Sequence, residues 1–188
     1  MPQSANDAAR ELAELLLQLG RAAYAEGADG ELSAAQWSAL RYFGRANRFS
    51  RTVSGFADFH ATTRGTASQT VKSLVTRGFL ERTRSERDGR SVLFKLTAQA
   101  RRQMLRDPLD ALVRAAQRLG VVQLRELTGE LRRVGEYLEA EREATAAGRC
   151  EHCGHLLRDG TSFQCGLMQE PLATAELNEI CVRYQART

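Results

Sequence analysis

The first 149 residues of this 188-residue chain contain no cysteine. No run of about 18 apolar residues occurs anywhere, so no membrane-spanning helix is expected. The opening Met1-Pro2-Gln3-Ser4 lacks a basic stretch, and Glu11 and Glu14 interrupt the first apolar segment, so no signal peptide is expected either. A glycine-rich nucleotide loop is missing, as is any convincing nucleophile–base pairing, and both absences argue against an enzyme. No internal repeat or low-complexity tract appears. Hydrophobic residues at 43% can build a core and charged residues at 27% are ordinary, which excludes a disordered chain. The expected compartment is the reducing cytoplasm, where clustered thiols favour metal over disulfides.

The cysteines that are present crowd into the last 39 residues as Cys150, Cys153, Cys165 and Cys181, spaced C-x2-C-x11-C-x15-C. Four thiolates in one short tail can complete a tetrahedral Zn²⁺ shell or hold one [4Fe–4S] cluster. Gly154 follows Cys153 where haem attachment would need His, and two further cysteines speak against a thioredoxin-type redox pair. Zinc sites usually pair two C-x2–4-C units, whereas here the second pair is split. The split spacing resembles that of high-potential iron–sulfur proteins, over about 32 residues. It favours [4Fe–4S], with Zn²⁺ as the alternative. His152 and His155 are expected beside the metal or at the surface, because four thiolates already satisfy either group. Gly154, Gly160 and Gly166 are expected to bring backbone N–H groups towards sulfur. Thr174 to Tyr184 is expected to form a short helix packing the site against the tail or onto the helices before it.

Charge is equally uneven. Residues 41–102 hold 14 Lys and Arg against the four acids Asp58, Glu81, Glu86 and Asp88, a net +10. Because the whole chain carries +4, the remainder carries −6. Basic charge concentrated in one third of a chain points to a polyanionic partner.

Periodicity predicts a helix over residues 5–25, from the spacing of Leu12, Leu15, Leu16, Leu19 and Ala23. Ser33-x-x-Gln36 is a capping box opening a second helix that buries Trp37, Leu40 and Phe43. Thr52 caps a short third helix, and Thr66-x-x-Gln69 predicts the cap of a fourth that ends at Arg77 with Gly78 beyond it. On the fourth helix Ala67, Val71, Leu74 and Val75 share one face. Gln69, Lys72, Ser73 and Thr76 fall on the opposite side, with Ser68 at the edge. A short helix, a tight turn and a polar-faced helix form a helix-turn-helix, whose second helix fits the DNA major groove. Thr66, Ser68, Gln69, Thr70, Lys72 and Ser73 are its candidate DNA-contacting residues. After it, alternation through Val92, Phe94 and Leu96 and the turn signal Asp88-Gly89 predict a β-hairpin. Its tip would carry Arg84, Arg87 and Arg90 to phosphate or the minor groove.

The text Leu32-Ser33-x-x-Gln36-Trp37-x-x-Leu40, Phe56-Ala57, Gly65 to Leu74, Gly78-Phe79-Leu80, Arg87-Asp88-Gly89-Arg90-Ser91 and Leu96-Thr97-x-x-Ala100 resembles the MarR family of bacterial transcriptional regulators. The likeness spans residues 32–104, or about 145 residues with the flanking helices. It implies that Arg90 enters the minor groove and that Asp88 orients it by a salt bridge. His60 stands where the family usually has an aliphatic residue and is expected as a satisfied or partly exposed histidine between helices. The resemblance also implies a two-fold dimer built from the terminal helices, reading a near-palindromic operator.

Beyond the wing, Thr97 caps a further helix, and Asp107-Pro108 opens the next, with Leu109, Leu112, Val113, Ala116 and Leu119 on one face. A last long helix carries Leu124, Leu127, Leu131, Val134 and Leu138. The expected fold is mainly α with a small β-wing. Residues 1–31 form an N-terminal dimerisation helix, 32–97 a winged helix-turn-helix DNA-binding domain, 98–147 the C-terminal dimerisation helices, and 148–188 a cysteine-rich metal-binding tail. The expected function is a dimeric, sequence-specific regulator of transcription, a repressor, binding double-stranded DNA. Its tail cluster would sense redox state, oxygen or iron. One alternative is a MarR-type regulator with a structural Zn²⁺ and a small-molecule effector. Another is an iron–sulfur redox protein with an incidental helical domain.

Overall fold

The computed structural model describes residues 4–25, 31–84, 91–141 and 147–187. Seven helices are present among them: α1 (Ala5–Ala25), α2 (Ala34–Arg45), α3 (Val53–Phe59), α4 (Arg64–Thr76), α5 (Ala98–Met104), α6 (Leu109–Ala116) and α7 (Val121–Glu141). Strands β1 (Leu80–Arg84) and β2 (Val92–Leu96) pair antiparallel between α4 and α5. The tail adds β3 (Gly148–Arg149), β4 (Leu156–Asp159), β5 (Ser162–Cys165), β6 (Glu170–Leu172) and β7 (Ile180–Cys181). Of these, β4, β5 and β6 form one antiparallel sheet, and β3 pairs with β7.

Local chemistry sets most of the helix starts. The Ser33 side chain accepts from the Gln36 amide while the Gln36 side chain accepts from the Ser33 amide, closing the expected box. Thr52 accepts from Gly55 N–H at 2.9 Å and Thr97 from Ala100 N–H at 3.2 Å. Each such cap is worth about 1 kcal/mol. The start of α4 differs from expectation. Thr63, not Thr66, is the N-cap, accepting from Thr66 N–H at 3.1 Å. One extra turn through Arg64 and Gly65 therefore belongs to the helix. At its other end Gly78 takes φ +75°, the left-handed conformation that suits glycine.

The main core lies inside the winged head. Trp37, Leu40, Tyr42 and Phe43 of α2 pack with Phe56 of α3, with Val71 and Leu74 of α4, and with Phe79 and Phe94 at the base of the hairpin. The flanking helices are different. Apart from Ala23, no described side chain of α1, α6 or α7 is buried. Leu12, Leu15, Leu16 and Leu19 on α1, Val113 on α6, and Leu127, Val134 and Leu138 on α7 are exposed. A buried Asp107, bonded to Arg41 at 2.6 Å, ties the start of α6 to α2. The Asp107 carboxylate also accepts from Leu109 N–H at 2.9 Å, as a cap would.

The tail departs most from expectation. Residues 174–184 do not form one helix: a single 3-10 turn (Thr174–Asn178) ends at an extended Glu179, and Ile180 enters β7. Pairing of Ile180 with Arg149, and its bridge to Ala46, override the local helical period. The tail rests against the turn between α2 and α3.

Candidate functional sites: a reading helix and a four-cysteine cavity

The exposed face of α4 is polar. Thr66, Ser68, Gln69 and Lys72 stand in solvent, whereas Ala67, Val71 and Leu74 are buried. Two candidates are engaged within the head. Thr70 Oγ1 donates to the Thr66 carbonyl at 3.1 Å, and the half-buried Ser73 Oγ accepts from Gln36 Nε2 at 3.0 Å. Ser73 thus faces α2, because the capping glutamine of that helix crosses over to it. On the hairpin, Arg84 is exposed at the end of β1. Arg87, Asp88 and Arg90 lie outside the described residues.

The basic charge counted from sequence is partly spent within the chain. Arg41 holds Asp107, Arg48 holds Glu176 at 2.5 Å, and Arg51 holds Glu179 at 3.3 Å. The last two carboxylates belong to the tail, so two cations of the head serve to dock it. Arg64, Lys72, Arg82 and Arg84 remain exposed beside the reading helix and hairpin.

The four cysteines come together. Cys150, Cys153, Cys165 and Cys181 line one small cavity with Asn47, Phe49, Met168 and Leu172. Cys150, Cys153 and Cys181 are buried and Cys165 is half-buried, with no disulfide among them. Cys150 opens the 3-10 turn that follows β3, Cys165 ends β5, and Cys181 ends β7. Polar hydrogens reach two of the sulfurs. Asn47 Nδ2 donates to Cys150 Sγ at 3.5 Å, and Arg183 N–H donates to Cys181 Sγ at 3.4 Å. A hydrogen bond from Cys150 is the main reason that Cys181 is lowered to about 6, while the same bond and then burial push Cys150 up.

The glycines act otherwise than expected. Gly154 N–H bonds to the Gln185 carbonyl and Gly166 N–H to the His155 carbonyl, both at 2.8 Å, so they shape the backbone rather than solvate sulfur. His152 is exposed beside Glu151, whereas His155 lines the cavity. Asn47 carried no sequence signal, being a lone polar residue about one hundred positions from the cysteines. His60 is half-buried against Phe56 and Phe59 with ring centroids at 4.8 and 5.0 Å. It is partly exposed, as expected, and its Nε2 has no hydrogen-bond partner among the described residues.

Among the described residues, no three His, Cys, Asp or Glu side chains are placed to hold a single ion. Four thiol donors, mostly buried around an apolar-lined space and with N–H groups aimed at two of the sulfurs, form a donor set that suits Zn²⁺ or an iron–sulfur cluster alike.

Residues 31–91 match the model of the MarR family. No functionally curated protein matches the chain. Among solved structures, the transcriptional regulator BldR from Sulfolobus solfataricus is similar at a TM-score of 0.55 and 21% identity, over 71% of this chain and 99% of that one. Streptococcus pneumoniae FabT, solved in complex with DNA, is similar at 0.55 and 19% identity, over 73% and 99%. A MarR variant from E. coli, complexed with operator DNA, is similar at 0.52 and 20% identity, over 67% and 91%. In residues 31–91 this chain is therefore similar to the MarR family in sequence, and around them it has the winged-helix fold of these structures.

Proposed function

We propose that this chain is a dimeric, sequence-specific DNA-binding regulator of transcription whose tail carries one [4Fe–4S] cluster and senses redox state, oxygen or iron. The observation that carries this reading is the junction of two sites: a winged helix with a polar, cationic reading face, and four cysteines lining one cavity held against it. FabT and MarR, which share the fold, are seen on DNA, and the same use is proposed here.

In this reading Ser68, Gln69 and Lys72 face the major groove, where a glutamine pairs with adenine and a lysine with guanine or phosphate. Arg84, and the residues Arg87, Asp88 and Arg90 of the tip, reach the neighbouring minor groove. Cys150, Cys153, Cys165 and Cys181 would hold the cluster, and Asn47 and Arg183 would donate to its thiolates. When bound, a cluster of this kind supplies a one-electron centre that is also labile to oxygen.

The exposed leucine stripes of α1 and α7 support the dimer, since apolar faces of this length are otherwise left in water. Replacing Leu131 and Leu138 by Asp should give a folded monomer with little operator affinity, read by light scattering and circular dichroism. A dimer persisting at micromolar concentration would refute these helices as the interface.

The direct test is anaerobic purification with iron, sulfide and zinc analysis, followed by selection of binding sites from random duplex DNA. Four irons and four sulfides per chain, with a near-palindromic consensus, are expected. Stoichiometric zinc without iron would favour the other metal. That outcome would move attention to the ≈ 280 Å³ cleft beside Trp37, Arg106 and Asp110, where a small-molecule effector could bind between the head and α6.

A further inference from the structure

The tail grips one short piece of the head. The described hydrogen bonds and ion pairs between tail and head fall in Ala46 to Thr52, the turn joining α2 to α3. Asn47 N–H donates to the Ile180 carbonyl at 2.9 Å, and Ala46 bridges Ile180 in parallel. The Ser50 hydroxyl accepts from Val182 N–H at 3.2 Å, so it holds the strand on the far side of Cys181. Arg48 reaches Glu176 and, at 2.6 Å, the Pro171 carbonyl, and Arg51 reaches Glu179. Asn47 and Ser50 are buried, at 0% and 1% exposure, which is unusual for polar residues and requires that their bonds be made.

The same turn supports both parts of the reading head. Thr52 caps α3, which packs on α4. The Arg51 carbonyl accepts from Phe94 N–H of β2 at 2.8 Å, anchoring the base of the hairpin. The Ser50 carbonyl accepts from the Tyr42 hydroxyl at 2.6 Å, in the centre of the core. Any change in the turn is therefore felt at the reading helix and at the wing.

We infer that the Ala46–Thr52 turn is the receiver of the tail's state, and that Asn47, bonded to the Cys150 sulfur on one side and to the Ile180 strand on the other, transmits cavity occupancy to the DNA-reading elements. The inference rests on the proposal that the four cysteines hold a metal group. With the cavity filled, Cys150, which directly follows β3, and Cys181, which ends β7, are clamped together, and Ile180 and Val182 hold the turn. When the group leaves, the two-residue β3–β7 pair loses its cross-link, the acceptor of the buried Asn47 amide is released, and the supports of α3 and β2 loosen. The dimerisation helices need not move. Coupling between sites of this kind is commonly about 5–150-fold in affinity.

The test measures operator affinity of the full-length protein, first metal-loaded and then after chelation, with metal and sulfide content determined on each sample. Wild type should show a clear ratio between the two states. Arg48→Glu and Arg51→Glu, which break the ion pairs to Glu176 and Glu179 outside the cysteine cavity, should bind their metal group yet show a ratio near one, and the charge swap Arg48→Glu with Glu176→Arg should restore most of it. Amide exchange over residues 47–52 should quicken on chelation in wild type and be insensitive to it in Arg48→Glu. Variants that keep the metal and the full wild-type ratio would overturn the inference. Finding zinc in place of iron would overturn only the cluster, because the same ratio between loaded and chelated protein judges the turn whichever metal is present.

Discussion

The winged head and the cysteine tail solve the problem of stability differently. The head surrounds Tyr42, Phe43, Leu40 and Leu74, each at 2% exposure or less, with capped helices on every side. Side chains of that size contribute about 1.5–3 kcal/mol each when fully buried, and several together suffice for a domain. The tail's core is Leu156, Leu172 and Leu177 with Cys150 and Cys181, and partly buried Phe49 of the head packs against it. A segment of some forty residues with so few apolar groups is below the size at which a core alone holds, and such segments need a staple. Two of the five residues in that core are the thiols that a metal would join. The head supports itself, whereas the tail leans on the head and, in the proposed reading, on the group that its thiols would bind.

That contrast can be broken most forcefully in the head. Phe43→Ala should cost about 3–5 kcal/mol, a large part of a typical domain's stability, and abolish DNA binding. Urea denaturation followed by circular dichroism measures it, and a loss under 1 kcal/mol would mean that the head's core is misassigned. In the tail, Cys165→Ser or chelation should unfold only a part. Limited proteolysis with mass spectrometry should find new cuts within residues 147–187 while residues 31–84 stay protected. Protection of both regions alike would show that the tail stands unaided.

Smaller effects sharpen the reader itself. Gln69→Ala removes an exposed side chain, so folding should be unchanged while affinity falls by about 1–3 kcal/mol, provided that Gln69 reads a base. Fluorescence anisotropy on the selected operator decides this, and an unchanged affinity would remove Gln69 from the interface. The slightest effect concerns acid. Burial first, and then the Arg41 charge, lower His60 below its ordinary value. The unfolded chain, titrating near 6.5, binds more protons in the interval down to the folded pKa, so stability falls as pH drops through about 6.5. Urea midpoints at pH 7.5 and 5.5 should separate more in wild type than in His60→Gln, and equal separations would refute that contribution.

The head was largely legible because its signals are local. Ser33 with Gln36, Thr52, Thr97 and Gly78 each act within a few residues, and a 3.6-residue period marks the buried faces. Thr66-x-x-Gln69 fits the capping-box pattern and Thr63 does not, yet the true cap, Thr63, lies one turn before it. Ser73 projects to the outer side of α4 on a helical wheel, which cannot know that Gln36 of another helix claims its hydroxyl. The 3.6-residue spacing of Leu177, Ile180 and Tyr184 suggested a helix for the same reason: period is blind to a strand partner elsewhere in the chain.

By itself the sequence determined the helices of the head, the polar face of α4 and the identity of the four thiols, since each follows from side-chain chemistry repeated at short range. The tertiary structure alone decided where the thiols go. Asn47 meets Cys150 across 103 positions, Arg48 meets Glu176 across 128, and Ser50 meets Val182 across 132. Contacts at such separations leave no period and no spacing to read. They arise because the tail lacks apolar area of its own and must spend its backbone and carboxylates on the nearest buried turn.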